Sequence, residues 1–192
     1  VKAGDYRELL IGCGRARVRN IVTPGNASTQ WRGLTTLDSN PAVSPDVVWT
    51  LDARPWPFED NTFDEIHAYE VLEHLGRQGD IVSFFHDFGE AYRVLKPGGY
   101  LVGTTPSRYS KWLWGDPGHT RAIMAESSLV FLAQPAYAQC DGPHPTTMSD
   151  YRHLWRGDFE ILRDEDDKMP QGLHRFLLQA IKPAREASYS GR

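Results

Sequence analysis

The sequence predicts an α/β fold, an open sheet whose strands deliver polar residues to a common crevice. Three observations carry this expectation. Leu9-Leu10-Ile11 is a continuous apolar run, the mark of a strand buried on both faces, and it stops abruptly at Gly12-Cys13-Gly14. Two further apolar runs close on acids, Asp38 and Asp52. A long segment beginning at Ile81 repeats its apolar residues at helical period, giving the sheet a packing face. In open α/β sheets ligands bind outside the carboxyl ends of the strands, so these tips should converge.

The elements follow in order. Glycine in the first turn accepts positive φ and, lacking a Cβ, lets a ligand approach the backbone; the Cys13 thiol is expected on that ligand side. Arg15, Arg17 and Arg19 come next, and Pro24-Gly25-Asn26 should stop any helix there, so the first crossover is short or irregular. Leu34-Thr35-Thr36-Leu37 reads as the second strand and ends at Asp38-Ser39-Asn40-Pro41. Asp38 lies a little over the roughly twenty residues past a glycine turn at which dinucleotide folds place their ribose-binding acid. Val47 to Leu51 reads as the third strand, with Asp52 at its tip, and Phe63 to Tyr69 as the fourth.

Glu70 to Gly76 is expected as a helix directly after that strand, which would set Glu70, Glu73 and His74 on one side at i, i+3 and i+4. The longer helix starts at Asp80 as N-cap and carries Ile81, Phe84, Phe85, Phe88, Tyr92 and Leu95 on its apolar face. Lys96-Pro97-Gly98-Gly99 ends it, and Tyr100 to Thr105 forms the fifth strand. From about 108 to 151 the chain is rich in Trp, Pro, Gly and His and reads as an insertion or lid, with one short helix around 127–132. Phe159 to Leu162 and Phe176 to Ile181 suggest a terminal strand pair around an acidic turn at Asp164-Glu165-Asp166-Asp167, and the tail after Pro183 should fray.

Composition narrows the classes. A length of 192 residues suits one domain, 1–192, and the net charge of -4 is dispersed, with no basic stripe to neutralise a phosphate backbone. Nucleic acid is thereby disfavoured. Two cysteines, Cys13 and Cys140, make no disulfide framework, no apolar stretch is long enough for a bilayer, and Val1 to Asp5 lacks a signal-peptide core. A cytoplasmic protein that does not engage a membrane is the default expectation.

Taken together, Leu10-Ile11-Gly12-Cys13-Gly14, Asp38, Asp52, Phe63-Asp64-Glu65-Ile66 with Leu72-Glu73-His74-Leu75, and Arg93-Val94-Leu95-Lys96-Pro97-Gly98-Gly99 resemble the class I S-adenosylmethionine-dependent methyltransferases. The resemblance covers about Glu8 to Ser107. It implies a Rossmann-like, seven-stranded, mostly parallel sheet of order 3-2-1-4-5-7-6, with helices on both faces and the last strand antiparallel. It also implies S-adenosylmethionine as cofactor and S-adenosylhomocysteine as product. Gly12, Cys13 and Gly14 would line the methionine part, Asp38 with Ser39 would hold the ribose, Asp52 with the Ala53 backbone would read the adenine, and Tyr69 joins this cofactor set. Ribose hydroxyls and an exocyclic amine are donors, which carboxylates accept well. The family's third glycine is Ala16 here, and its usual first helix is cut by Pro24 and Gly25.

Methyl transfer from a sulfonium needs in-line approach and shielding from water, so positioning can supply most of the acceleration. Glu73 and His74 are the first candidates for catalytic contacts at the reacting end, and His119 is the next. Glu70, Trp112, Trp114 and Arg121 are candidates for the substrate side, the tryptophans as an apolar wall. Metal-ligand spacing of a recognised kind is absent, so no metal is expected. No Asn/Asp-Pro-Pro-Tyr/Phe tetrapeptide follows the fourth strand and no Pro-Cys nucleophile occurs, which disfavours base methylation. The expected activity is methyl transfer to an oxygen or nitrogen of a small molecule. The alternative is a non-catalytic module of the same fold that binds the cofactor or a partner.

Overall fold

The structure, a computed structural model, describes residues 6–144 and 146–186. Seven strands form one sheet: β1 (Glu8–Ile11), β2 (Leu34–Asp38), β3 (Val47–Val48), β4 (Phe63–Tyr69), β5 (Leu95–Pro106), β6 (Phe159–Asp166) and β7 (Leu173–Ala180). Their order is β3-β2-β1-β4-β5-β7-β6, with β7 alone running antiparallel to the rest. The expected topology is therefore present. β1 sits at its centre with all of its residues buried, as the unbroken apolar run required.

Alternation along the strands sorts the two faces. Leu9 and Ile11 of β1 share a core with Phe63, Ile66 and Ala68 of β4. Helix α1 (Ile81–Val94) covers that face with Phe85, Phe88 and Ala91, and the Asp80 side chain caps it by accepting from Ser83 N at 3.0 Å. The insertion packs on the same core through Leu129, Leu132 and Tyr137, using two 3-10 turns and a one-turn helix, α2 (Trp112–Gly115). The short helix expected around 127–132 is one of these 3-10 turns, Leu129–Leu132.

The opposite face has a different cover. Among the described residues no helix lies between β1 and β2, and the strand residues facing that side include Glu8, Glu65 and His67. Arg19 is buried among them, its Nε 3.1 Å from Glu8 Oε1 and its Nη2 2.5 Å from Glu65 Oε2. Tyr6 and Thr23 donate to Glu65, and Asn26 donates to Glu8 at 3.0 Å. The irregular first crossover that Pro24-Gly25 foretold thus carries a polar network in place of a helix face.

Several boundaries differ from expectation for identifiable reasons. β3 stops at Val48 because its partner β2 ends at Asp38, the last ladder bond being Trp49 N to Asp38 O at 3.0 Å. Residues 70–76 form no α-helix: Glu70 adopts φ +54, only a 3-10 turn Leu72–His74 follows, and Leu75 is extended before Gly76 at φ +62. Six residues between a strand end and a glycine leave no room for the costly helical nucleus to propagate. The Lys96-Pro97-Gly98-Gly99 turn is a bulge inside β5, since Leu95 pairs with Phe63 and Tyr100 already pairs with Glu65. Asp164 to Asp166 belong to β6, paired with Phe176 to His174, so the hairpin turns later than the acidic run. Beyond Pro183 the chain stays tied as far as Arg185, whose N and Nε reach Asp158 Oδ2 at 3.0 and 2.6 Å. Residues 1–5, expected to lack a signal core, and 187–192 of the tail lie outside the described part.

Candidate functional site

The ends of β1, β2 and β3 open onto a cleft of about 290 Å³. Gly12, Asp38, Ser39 and Asp52 line it together with Trp49 and His74. Gly12 and Gly14 have φ of +57 and +51, the left-handed region in which glycine carries no steric cost. An added Cβ at Gly12 would come within 2.4 Å of Val71 Cγ2, whereas at Gly14 it would meet nothing within 4 Å. The second glycine therefore leaves open backbone beside the cleft. Gly14 N donates to Asp38 Oδ2 at 2.9 Å and Asn40 N to Oδ1 at 2.9 Å, which fixes the carboxylate at the strand tip while leaving a lone pair on each oxygen.

Four expected cofactor residues lie outside the cleft lining, Gly14 among them. Cys13 is buried outside the cleft lining, and its thiol is pushed up first by burial and then by Asp38, with Arg17 and Thr36 opposing. Tyr69 directs its hydroxyl into the buried network, 2.7 Å from His67 Nδ1 and 3.2 Å from Ile21 N, and burial raises it to about 12. Ala53 N already donates to Thr50 O at 3.1 Å, and its carbonyl accepts from Trp49 Nε1 at 3.1 Å. Trp49 and Thr50 line the cleft and were missed; an aromatic just before the acid of a strand tip was the available signal. The remaining set, the Gly12 turn with the Asp38 carboxylate at the β2 tip and the Asp52 carboxylate in the turn beyond β3, fits an adenosine carrying a charged methionine tail.

The other end of the cleft is lined by Val71, His74 and Leu75 of the turn after β4, and the loop 116–121 is bonded to that turn. Thr120 N and Arg121 N both donate to Glu73 O, at 2.9 and 3.2 Å, and this double bond zips the loop onto the turn. The His74 and His119 rings meet edge to face with centroids 4.7 Å apart. His74 is exposed toward solvent, His119 is nearly covered and Glu73 is fully buried. Neither Glu73 carboxylate oxygen has a partner among the described residues, and burial, with Glu70 and Asp116 nearby, pushes its carboxyl up to about 8. Glu70 is raised by burial too, although Thr104, His119 and His74 oppose the shift. Glu73, His74 and His119 were expected together, and the structure joins them through the loop rather than through a helix face.

Of the substrate candidates, Arg121 is 3% exposed and ion-paired to Asp87 at 2.7 Å. It lines a second cavity of about 260 Å³ with Phe84, Phe85, Phe131 and Tyr151, while its Nε and Nη1 have no partner among the described residues. The first cleft reaches Leu75 and the second begins at Arg77, so the two flank one short segment. Trp112 and Trp114 are exposed and line neither cavity.

Comparison with known proteins points to a methyltransferase domain. Residues 9–103 match the family described as a methyltransferase domain. A relative from Mycolicibacterium smegmatis, named "Probable S-adenosylmethionine-dependent methyltransferase", is 36% identical over 73 residues, 36% of this chain and 26% of the relative. The match thus spans about a quarter of that relative's length. Among solved structures, a SAM-dependent methyltransferase from Archaeoglobus fulgidus superposes with TM-score 0.53 at 17% identity, covering 94% of this chain and 87% of its own. The N-methyltransferase NodS from Bradyrhizobium japonicum, bound to S-adenosyl-L-homocysteine, gives TM-score 0.55 at 15% identity over 91% of this chain and 78% of its own.

Proposed function

We propose that this chain, whose residues 9–103 match the methyltransferase-domain family, transfers a methyl group from S-adenosylmethionine to an oxygen or nitrogen of a small molecule. The observation that carries this reading is the cleft itself, which runs from Gly12 past Asp38 and Asp52 to His74. S-adenosylmethionine supplies a methyl group on a positively charged sulfur, which leaves as a neutral thioether. Asp38 would accept from the ribose hydroxyls, with Ser39 beside it, and Asp52 would accept from the adenine amine. Gly12 and Gly14 would hold the methionine end by close backbone approach.

His74 lines the end of the cleft with Glu73 and His119 gathered beside it, and the three would orient the acceptor, which surrenders one proton as it takes the methyl group. The second cavity, walled by Phe84, Phe85, Phe131 and Tyr151 with Arg77, Gln78, Asp80 and Ser128 also on its lining, suits the acceptor's body, with the unpartnered Arg121 guanidinium N–H groups donating to an anionic or carbonyl group. Titration calorimetry with S-adenosylhomocysteine tests the cofactor half. Label transfer from methyl-labelled cofactor into candidate extracts tests turnover. Binding without any transfer would favour a non-catalytic module, and no binding would remove the cofactor assignment.

A further inference from the structure

We infer that Glu73, His74 and His119 form a binding site for a divalent transition metal at the end of the cofactor cleft, with open positions for an acceptor oxygen. One ligand atom from each residue lies within 4.8 Å of the others. Glu73 is 0% exposed and both of its oxygens lack partners among the described residues, an arrangement that burial penalises unless a cation completes it. His119 Nδ1 is likewise buried without a partner. Its Nε2 lies 3.9 Å from Asp116 Oδ2, too far for a hydrogen bond but on the side where a carboxylate orients a ligating imidazole.

His74 shows the same second-layer pattern more fully. Its Nδ1 donates to the Gly118 carbonyl at 3.0 Å, which selects the tautomer whose Nε2 lone pair is free. Gly118 in turn is held by Asp116, whose Oδ1 accepts its N–H at 2.7 Å. Nearby cations are engaged elsewhere: the one hydrogen bond of the Arg121 guanidinium goes to Asp87.

A second group of similar composition provides the contrast. Glu8, Glu65 and His67 also bring ligand atoms within 4.8 Å of one another. There Arg19 lies on both carboxylates, and Tyr6, Thr23 and Asn26 fill the remaining acceptor sites. That group is complete as an ion network. The Glu73 group brings one carboxylate and two imidazoles and, among the described residues, no arginine or lysine bonded to the carboxylate.

Two imidazoles and one carboxylate suit zinc, manganese, cobalt or iron(II) better than calcium or magnesium, which favour all-oxygen shells. Since His74 lines the cofactor cleft, a metal there would face the transferred methyl group. Its role would be to lower the pKa of a bound acceptor hydroxyl, whose proton passes to solvent before the oxygen forms its bond to the methyl carbon and the C–S bond breaks onto sulfur. This role rests on the methyl-transfer reading, whereas the metal site itself does not.

The test uses the whole chain, stripped with a chelator and titrated with Zn²⁺ and Mn²⁺ against a chromogenic competitor, alongside Glu73→Gln, His74→Ala and His119→Asn. One equivalent of Zn²⁺ per chain is expected, weakened at least tenfold in each variant, with Zn²⁺ raising the thermal midpoint of the parent alone. Circular dichroism establishes that each variant is folded, and His74→Ala, which removes an exposed side chain, remains informative if Glu73→Gln fails to fold. Absence of binding in the parent, or equal binding in the folded variants, would overturn the site. S-adenosylhomocysteine titrated into the stripped protein reads the cofactor assignment separately, so loss of one result leaves the other standing.

Discussion

Replacing Asp38 by alanine separates a ligand-binding carboxylate from one that only braces a turn. Its two oxygens accept from Gly14 N and Asn40 N, each at 2.9 Å, and the side chain lines the cleft. If a bound cofactor adds ribose hydroxyl bonds to this charged acceptor, their removal should cost about 1.5–3 kcal/mol. At 1.4 kcal/mol per decade, that is roughly a 10- to 150-fold rise in the Kd for S-adenosylhomocysteine. Loss of the Gly14 and Asn40 bonds together is worth about 2 kcal/mol of stability. For a chain of this size that lowers Tm by about 4–8 °C. Calorimetry well below both midpoints isolates the first effect, and a thermal scan measures the second. Asp52→Ala is the companion variant, because no hydrogen bond to the Asp52 carboxylate is seen among the described residues while it lines the same cleft. A Kd changed less than twofold in Asp38→Ala, with the midpoint lowered as expected, would refute the ribose assignment and leave Asp38 a turn brace.

Other expectations follow from the same coordinates. Gly12→Ala should destabilise more than Gly14→Ala: both sites demand positive φ, at about 1–2 kcal/mol, but only the first drives a Cβ to within 2.4 Å of Val71. Urea titration measures the difference, and adding Val71→Ala should recover the steric part alone. Arg19→Met should cost about 3–5 kcal/mol in the same assay, since it strands Glu8 and Glu65 as uncompensated buried charges; a loss under 1 kcal/mol would show that the network contributes little. Burial alone would raise Glu65, but bonds from His67, Thr23 and Tyr6 outweigh it and hold the carboxyl at about 2. A depressed folded-state pKa gives stability that is present above the unfolded value of 4.5 and is lost as pH falls toward 2. The stability gap between the parent and Glu65→Gln should therefore narrow across that window, and a gap independent of pH would refute the assignment.

How far the sequence was legible depends on whether local or distant partners decide a residue's place. β1, β4 and α1 were readable because apolar runs and helical period are local consequences of burial on one face. Asp38 and Asp52 were readable because strand tips in such sheets share one side. The extent of β3, the turn at 70–76 and the late hairpin turn were not, since each is set by pairing with a chain segment far away. Tyr69 and Cys13 follow the same rule: they flank the crevice in sequence, but tertiary partners claim their side chains.

The polar residues of β4 carry the larger lesson. Glu65 and His67 made that strand look less apolar than a central strand should be, which signals either solvent exposure or an ion network on one face. Exposure is excluded by burial, because Glu65 and His67 are both 0% exposed. A buried carboxylate on a central strand then needs a cation, and Arg19 in the crossover before β2 supplies it. The helix that usually covers this face is dispensable here because the chain brings charge instead of apolar area to the strands. Applied to Glu73, the same reasoning finds a buried carboxylate and two imidazoles on a loop-bound turn, with no arginine or lysine hydrogen-bonded to them among the described residues. The fold has supplied an internal cation for one cluster and left the other, at the mouth of the cofactor cleft, to be completed by a ligand.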